Sequence, residues 1–212
     1  MKRNEETIHI DGPAGTIELI VENPGAPRGI ALICHPHPLF GGANTNKVTQ
    51  TLARTFLHLG YVALRPNFRG VGQSAGVHDD GRGECADMLA LLTEAKRRFG
   101  DLPVALAGFS FGAYVQTRVA QALAEANHPA QRLVLVGTAA GQVDGSRQYA
   151  TKAVAADSIV IHGAADTTVP LTNVLAWAEP LDLPVIVIPG ADHFFHRRLH
   201  LIADIVTRAW RY

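Results

Sequence analysis

Six continuous apolar runs, separated by stretches with helical periodicity, constrain the fold of this chain more than any other feature. The runs lie at residues 30–34, 62–64, 104–107, 133–136, 159–161 and 185–188. Strands that are apolar at every position are typical of parallel sheets, because helices cover both of their faces. Between the runs, apolar residues recur three or four apart, as they do across residues 48–59, and this spacing predicts amphipathic helices. The alternation predicts an α/β fold with a doubly wound sheet.

Two shorter strand-like runs, at residues 7–10 and 16–21, precede this series. The turn-rich sequence D-G-P-A-G joins them, which predicts an antiparallel hairpin at one edge of the sheet. The whole chain is therefore expected to form a mostly parallel eight-stranded sheet with an antiparallel N-terminal edge hairpin. No linker-like segment interrupts the 212 residues, so we expect a single domain over residues 1–212. Ligands of such a sheet bind beyond the carboxyl ends of its strands.

The charge of the chain limits the classes of partner that it can bind, and its cysteine content indicates its redox environment. The formal net charge is zero and the basic residues are scattered, which disfavours nucleic acid and anionic membranes as partners. No apolar run approaches the roughly 18 residues of a membrane span. The two cysteines, Cys34 and Cys85, are too few for a disulfide framework, so we expect reduced thiols and a cytoplasmic location. We expect a small-molecule substrate and neither a cofactor nor a metal.

Residues 108–112 read G-F-S-F-G, directly after one apolar run and directly before a helix-patterned stretch. This strand–turn–helix context is that of a nucleophile elbow, in which the serine adopts a strained conformation and glycines keep side chains away from neighbouring backbone. The competing interpretation is a glycine-rich turn with a solvated serine. The context favours the elbow, and we predict that Ser110 is a nucleophile.

A serine hydroxyl is too weakly acidic to attack unaided, so it needs an imidazole as base and a carboxylate that orients the imidazole. Asp166 lies in the loop after the run at 159–161, and His193 lies in the loop after the run at 185–188. Both loops leave the carboxyl end of a strand, as Ser110 does. We therefore predict Asp166 as the acid and His193 as the base.

Other residues compete for these two roles. Asp144, in the sequence G-Q-V-D-G after the run at 133–136, stays open as a rival acid, although the adjacent glycine favours a plain turn. Asp192 adjoins the base in sequence, but neighbouring side chains of an extended loop tend to diverge. His162 and His196 are the other histidines of these loops, and packing or capping roles are expected for them.

The tetrahedral intermediate of acyl transfer needs two hydrogen-bond donors that are in place before its charge develops. One is expected to be the backbone N–H of Phe111, the residue after the nucleophile. The other is expected from the loop C-H-P-H-P-L-F-G-G at residues 34–42. The prolines of this loop carry no N–H. The backbone N–H of His37 is therefore the first candidate and that of Leu39 the second.

These motifs together resemble the α/β-hydrolase superfamily, and particularly its small serine hydrolases without a cap domain, such as dienelactone hydrolase-like proteins and short carboxylesterases. G-F-S-F-G, H-G-A-A-D-T-T-V-P and G-A-D-H-F-F-H match the elbow, acid loop and histidine loop of the family in order. The resemblance implies that Ser110, Asp166 and His193 form a catalytic triad. Dienelactone hydrolases proper carry a cysteine nucleophile, so the resemblance does not extend to dienelactone as the substrate.

Two further hypotheses belong to other functional classes. His35 and His37 form an H-x-H pair at a strand end, which can bind zinc in metallohydrolases, with Asp166 and His193 completing the site. A ligand-binding module would keep the fold without the chemistry. Arg69, in a glycine-rich loop after the run at 62–64, is expected either to contact a substrate carboxylate or to brace backbone carbonyls.

The interval between the runs at 133–136 and 159–161 limits how the site can be covered. Residues 137–157 are expected to hold a crossover helix, which leaves little chain for a cap. An uncovered site favours small esters with short acyl chains. We therefore predict a carboxylesterase, with thioesters and amides as alternatives that share its tetrahedral chemistry.

Overall fold

The computed structural model describes residues 4–143 and 145–211. Ten strands are present in this part of the chain: β1 (Asn4–Gly12), β2 (Gly15–Asn23), β3 (Gly29–Cys34), β4 (Tyr61–Pro66), β5 (Val104–Phe109), β6 (Arg132–Val136), β7 (Gly141–Val143), β8 (Arg147–Tyr149), β9 (Ile159–Gly163) and β10 (Val185–Ile188). The α-helices are α1 (Lys47–His58), α2 (Arg82–Phe99), α3 (Phe111–Glu125), α4 (Leu171–Ala178) and α5 (Leu199–Ala209).

Eight of these strands form one sheet in the order β1-β2-β4-β3-β5-β6-β9-β10. Strands β4, β3, β5, β6, β9 and β10 run parallel to one another, whereas β1 and β2 form an antiparallel hairpin whose second strand pairs antiparallel with β4. The predicted eight-stranded sheet and its edge hairpin are confirmed. The parallel pairing places the carboxyl ends of β3, β5, β6, β9 and β10 along the same edge.

Helices cover both faces of the sheet. Alternate side chains of β3 show this, since Ile30 and Leu32 belong to the apolar core beneath α2, α3 and α4, while Ala31 and Ile33 belong to the core beneath α1 and α5. Every residue of β3, β4 and β5 is buried. This two-sided burial is the physical reason that the strands are apolar at successive positions.

The prediction of a crossover helix within residues 137–157 is wrong. The described residues of that interval form a two-stranded antiparallel ribbon, β7–β8, and no helix. Gly141 and Gly145 have φ values of 62° and 84°, which a helix does not allow. Tyr149 is buried against Tyr114 of α3, with ring centroids 5.0 Å apart, and Asn173 of α4 donates to the carbonyl of Gln142 at 2.6 Å. Tertiary contacts thus stabilise the ribbon in a segment whose local sequence has little preference for either a helix or a strand.

A cluster of three aromatic rings joins α1 and α5 to the sheet, and its removal should destabilise the fold. Phe56 is fully buried, with its ring centroid 5.0 Å from that of Trp210 and 5.7 Å from that of Tyr61. We expect Phe56→Ala to lower the free energy of unfolding by about 3–5 kcal/mol, because it leaves a cavity in a packed interior. Denaturant unfolding measures the change, with the half-exposed Leu175→Ala on α4 as the control. Equal losses in the two variants would contradict this account of the core.

Candidate active site

Ser110 lies in the sharp turn between the end of β5 and the start of α3. Its backbone angles are φ 55° and ψ −117°, a strained conformation for a residue with a side chain. Neighbouring elements hold the turn: the N–H of Ser110 donates to the carbonyl of Val136 at 2.9 Å, and its carbonyl accepts from the N–H of Tyr114 at 3.1 Å. The serine therefore sits at the edge where the parallel strands end.

Gly108 and Gly112 are required by close backbone contacts on either side of Ser110. A Cβ atom at Gly108 would lie 2.5 Å from the carbonyl carbon and oxygen of Gly112. A Cβ atom at Gly112 would lie 2.4 Å from the carbonyl oxygens of Cys34 and His35. The start of α3 is thus pressed against the end of β3, which brings the elbow and the loop after β3 together.

The structure places Ser110, His193 and Asp166 in one hydrogen-bonded chain. The Oγ atom of Ser110 lies 3.0 Å from Nε2 of His193, and Nδ1 of His193 lies 2.7 Å from Oδ2 of Asp166. A carboxylate only accepts, so Nδ1 carries the ring proton and donates it to Asp166. Nε2 is then unprotonated and accepts from the serine hydroxyl. This tautomer is the one that can remove the proton of Ser110.

The carboxylate of Asp166 is held on its other oxygen by its own loop. Oδ1 accepts from the N–H groups of Thr168 and Val169 at 2.9 and 2.8 Å. His162 lies beside the same carboxylate, with its Nε2 2.9 Å from the carbonyl oxygen of Val169 and 3.4 Å from Oδ2 of Asp166. Burial lowers the pKa of His162 below its usual value. A neutral His162 and two backbone amides therefore surround a carboxylate that faces His193.

The competing residues lie elsewhere or outside the described part of the chain. Asp192 binds His196, with its Oδ2 2.6 Å from the Nδ1 atom of that histidine near the surface, and neither contacts Ser110. Asp144 lies outside the described residues. Arg69 binds the carboxylate of Asp87 on α2 at 2.6 and 3.0 Å, so it braces a carboxylate of the protein and not backbone carbonyls.

The two expected oxyanion donors lie on the two segments that meet at Gly112. Phe111 occupies the first position of α3, where a backbone N–H has no acceptor within the helix. His37 lies in the loop after β3, and its Nδ1 atom accepts from the N–H of Leu39 at 3.3 Å. The amide of Leu39 is thus engaged within its own loop. Of the two candidates in this loop, the geometry favours the amide of His37.

The side chain of His37 packs among aromatic rings at the edge of the site. Its ring centroid lies 4.7 Å from that of His78 and 4.8 Å from those of Phe40 and Phe111. Burial, with smaller contributions from His78 and then from the positive charge of Arg147, lowers its pKa to about 4. The ring is therefore neutral near pH 7 and contributes a polar surface without a charge.

A cleft of about 240 Å³ opens over Ser110 and His193. Phe40 and Phe194 stand at its rim and are 66% and 48% exposed. Arg147 of β8 also lines the cleft, with its guanidinium carbon 4.3 Å from the ring centroid of Phe40. Phe40 and Phe194 lie within the two loops that carry site motifs, but the sequence predicted no role for their side chains, and the ribbon that carries Arg147 was expected to be a helix.

The arrangement of the H-x-H pair does not fit a zinc site. Nδ1 of His35 lies 2.6 Å from the carbonyl oxygen of Pro36, and its Nε2 lies 2.9 Å from the backbone nitrogen of Phe68. Both ring nitrogens are thus engaged inside the protein, and a metal ligand needs one of them. Within residues 4–143 and 145–211, no group of three or more histidine, cysteine or acidic side chains is arranged to hold a metal ion.

The fold and this site together define a serine hydrolase of the α/β-hydrolase class. The chain belongs to the family described as serine aminopeptidase, S33, whose model matches residues 25–169. The predicted membership of the α/β-hydrolase superfamily, in its lidless branch, is confirmed.

Solved structures with similar folds support this assignment over nearly the whole chain. An α/β serine hydrolase homologue from Coxiella burnetii is 34% identical, with a TM-score of 0.85, and the match covers 100% of this chain and 99% of that one. A serine hydrolase without a lid from Xanthomonas campestris is also 34% identical, with a TM-score of 0.86, and the match covers 97% of this chain and 93% of that one.

One curated relative matches over a shorter length. An uncharacterised protein from Rickettsia prowazekii is 40% identical over 125 residues, which are 57% of this chain and 52% of that protein. The chain thus spans about half the length of this relative. Separately, none of the helices among the described residues is both long and apolar enough to cross a membrane.

The contacts of Asp166 predict how its substitution acts. Asp166→Asn keeps the size of the side chain but removes the charge that stabilises an imidazolium, and it allows the wrong tautomer of His193. We expect kcat for an ester to fall by about 10⁴-fold with the fold intact. The matched control is Asp192→Asn, since that carboxylate is adjacent in sequence but binds His196. A larger loss from Asp192→Asn or Asp144→Asn would assign the acid to another loop.

Proposed function

We propose that this protein is a single-domain, cytoplasmic serine carboxylesterase that cleaves small esters with short acyl chains through an acyl-enzyme on Ser110. One observation carries the proposal: Ser110, His193 and Asp166 form a continuous hydrogen-bonded chain, with distances of 3.0 and 2.7 Å, at the base of an open cleft. The free thiols of Cys34 and Cys85 are compatible with a reducing compartment.

In the proposed first half-reaction, Nε2 of His193 takes the hydroxyl proton of Ser110 while Oγ bonds to the carbonyl carbon of the ester. The carbonyl oxygen becomes an oxyanion, which accepts from the N–H groups of Phe111 and His37. Asp166 stabilises the imidazolium of His193. Collapse of the tetrahedral intermediate breaks the bond to the leaving oxygen, and that oxygen takes the proton from His193 as the alcohol departs.

In the second half-reaction, water enters the cleft and gives a proton to Nε2 of His193 as its oxygen bonds to the acyl carbon. A second tetrahedral intermediate uses the same two amides. When it collapses, the bond to Oγ of Ser110 breaks and His193 returns the proton to the serine. The carboxylic acid leaves and the enzyme is restored without any other reactant.

Cleavage of an N-terminal amino acid is the second candidate function, because the family is described as serine aminopeptidase. An enzyme of that kind must bind a free ammonium group, for which a carboxylate is the natural partner. Among the described side chains that line the cleft, none is a carboxylate, and Arg147 is a cation. The lining of the cleft therefore favours, as the substrate, an ester that carries no free amino group. Thioesters remain an alternative, since they need no additional group.

The nucleophile assignment predicts a single site of covalent labelling. A fluorophosphonate should modify Ser110 alone, and Ser110→Ala should lower kcat by about 10³-fold or more while the protein stays folded. Mass spectrometry locates the label and ester hydrolysis measures kcat. Ser158→Ala is the control, because that hydroxyl donates to the carbonyl of Ala155 away from the cleft. Labelling at another serine, or full activity of Ser110→Ala, would refute the proposed mechanism.

The size of the cleft predicts the acyl-chain preference. Ligand pockets usually measure about 300–1,000 Å³, and the cleft here is smaller, at about 240 Å³. Each methylene left in water forfeits about 0.8 kcal/mol of binding free energy. We therefore expect higher kcat/KM for p-nitrophenyl acetate and butyrate than for the decanoate, without activation at lipid surfaces.

The same assay series compares the alternative substrate classes. Thioesters of the same short acyl groups and aminoacyl p-nitroanilides are the comparison substrates. A steady rise in kcat/KM up to the dodecanoate would show that the acyl chain occupies a longer channel. A preference for aminoacyl anilides over every ester would favour the aminopeptidase.

A further inference from the structure

His35, the first residue after β3, is fully buried and holds two partners at once. The backbone N–H of Phe68 can only donate, so Nε2 of His35, 2.9 Å away, is its acceptor. The ring proton therefore resides on Nδ1, which donates to the carbonyl oxygen of Pro36 at 2.6 Å. These two contacts fix both the tautomer and the orientation of the ring.

The carbonyl of Pro36 belongs to the same peptide unit as the N–H of His37. A trans peptide is planar and its C=O and N–H point in opposite directions, so a contact that fixes the carbonyl also fixes the direction of the amide. Gly42 closes over the same carbonyl, since a Cβ atom there would lie 2.1 Å from the oxygen of Pro36. The peptide is therefore held by His35 and confined by Gly42.

The next carbonyl of the loop is also engaged. The oxygen of His37 accepts from the N–H groups of Phe40 and Gly42 at 3.2 and 3.0 Å. The carbonyls on both sides of His37 are thus bound inside the loop. The amide between them is the one that the proposed mechanism uses as an oxyanion donor.

We propose that His35 is a positioning residue, which aims the N–H of His37 at the oxyanion by holding the carbonyl of Pro36. The inference rests on the proposed function, because it concerns the residue that orients the second oxyanion donor of that reaction. His35 is buried beneath the loop, and both of its hydrogen bonds are to backbone groups. Its effect on the reaction passes entirely through the peptide that joins Pro36 to His37.

The surroundings of His35 keep it in this one form. Burial lowers its pKa to about 4, so the ring is neutral at ordinary pH. A second proton would place an N–H group on Nε2 directly against the N–H of Phe68. The ring of His35 also packs on that of Phe68, with centroids 4.5 Å apart, and Phe68 packs in turn on Phe111 at 5.5 Å. One aromatic side chain thus supports the segments that carry both donors.

Two amide substitutions separate the two contacts of His35. In His35→Asn, the amide nitrogen lies near the position of Nδ1 and can donate to Pro36, but nothing reaches Phe68. In His35→Gln, the amide oxygen lies near the position of Nε2 and can accept from Phe68, but the donor to Pro36 is lost. The pair therefore distinguishes a residue that orients the oxyanion donor from one that only braces the loop after β4.

We expect His35→Gln to lower kcat for p-nitrophenyl butyrate by about 10²-fold with little change in KM, because the lost interaction acts on the transition state. His35→Asn should lose less than about 10-fold. The inhibition constant of a trifluoromethyl ketone, which forms a tetrahedral oxyanion on the serine, should rise in His35→Gln by the factor that kcat/KM falls. Thermal unfolding should show both variants folded at the assay temperature.

A greater loss in His35→Asn than in His35→Gln, or a trifluoromethyl ketone that binds equally well to the wild type and His35→Gln, would overturn the inference. Either result would leave the proposed function standing if the wild type hydrolyses esters and is labelled at Ser110. A wild type that neither turns over esters nor reacts with the fluorophosphonate would instead remove the proposed function and this inference with it.

Discussion

Gly112, at the start of α3, lies directly against the end of β3, and this contact holds the elbow beside the loop after β3. A Cβ atom at Gly112 would lie only 2.4 Å from the carbonyl oxygens of Cys34 and His35, so this position has no room for a side chain. Any larger residue would push the elbow away from the loop after β3. That displacement would separate the amides of Phe111 and His37, so the contact holds the two proposed oxyanion donors in place before any substrate is bound.

Several buried polar groups then complete the site, and most of them contact backbone. Asp166 accepts from two amides of its loop, and His35 holds one carbonyl and one amide. In a buried setting such bonds are stronger than in water, but a group without its partner is costly. Nδ1 of His162 is such a group, with no partner among the described atoms. The single ring proton of His162 is on Nε2, which donates to the carbonyl of Val169 beside Asp166, and Nδ1 is left unpaired as a result.

The sequence predicted the parts of the protein that local patterns encode. Strands buried on both faces are apolar throughout, and the elbow needs glycines at fixed offsets from Ser110. Both features can therefore be predicted from the sequence alone. The ribbon β7–β8 was missed because Tyr149 and Asn173 stabilise it through contacts distant in sequence. The contacts of His35 were missed for the same reason, since Phe68 lies 33 residues away, and its H-x-H spacing suggested zinc instead.

Chemistry and specificity come from different parts of the chain. The proposed nucleophile, base and acid follow strands β5, β10 and β9, whose ends the packed sheet holds in place. The rim of the cleft comes instead from Phe40, Arg147 and Phe194, which lie on a short turn, the ribbon and the histidine loop. Substitutions at the rim can change which substrate fits without disturbing the sheet. The proposed reaction therefore follows from the fold, whereas the proposed choice of substrate depends on rim side chains that lie outside the eight-stranded sheet.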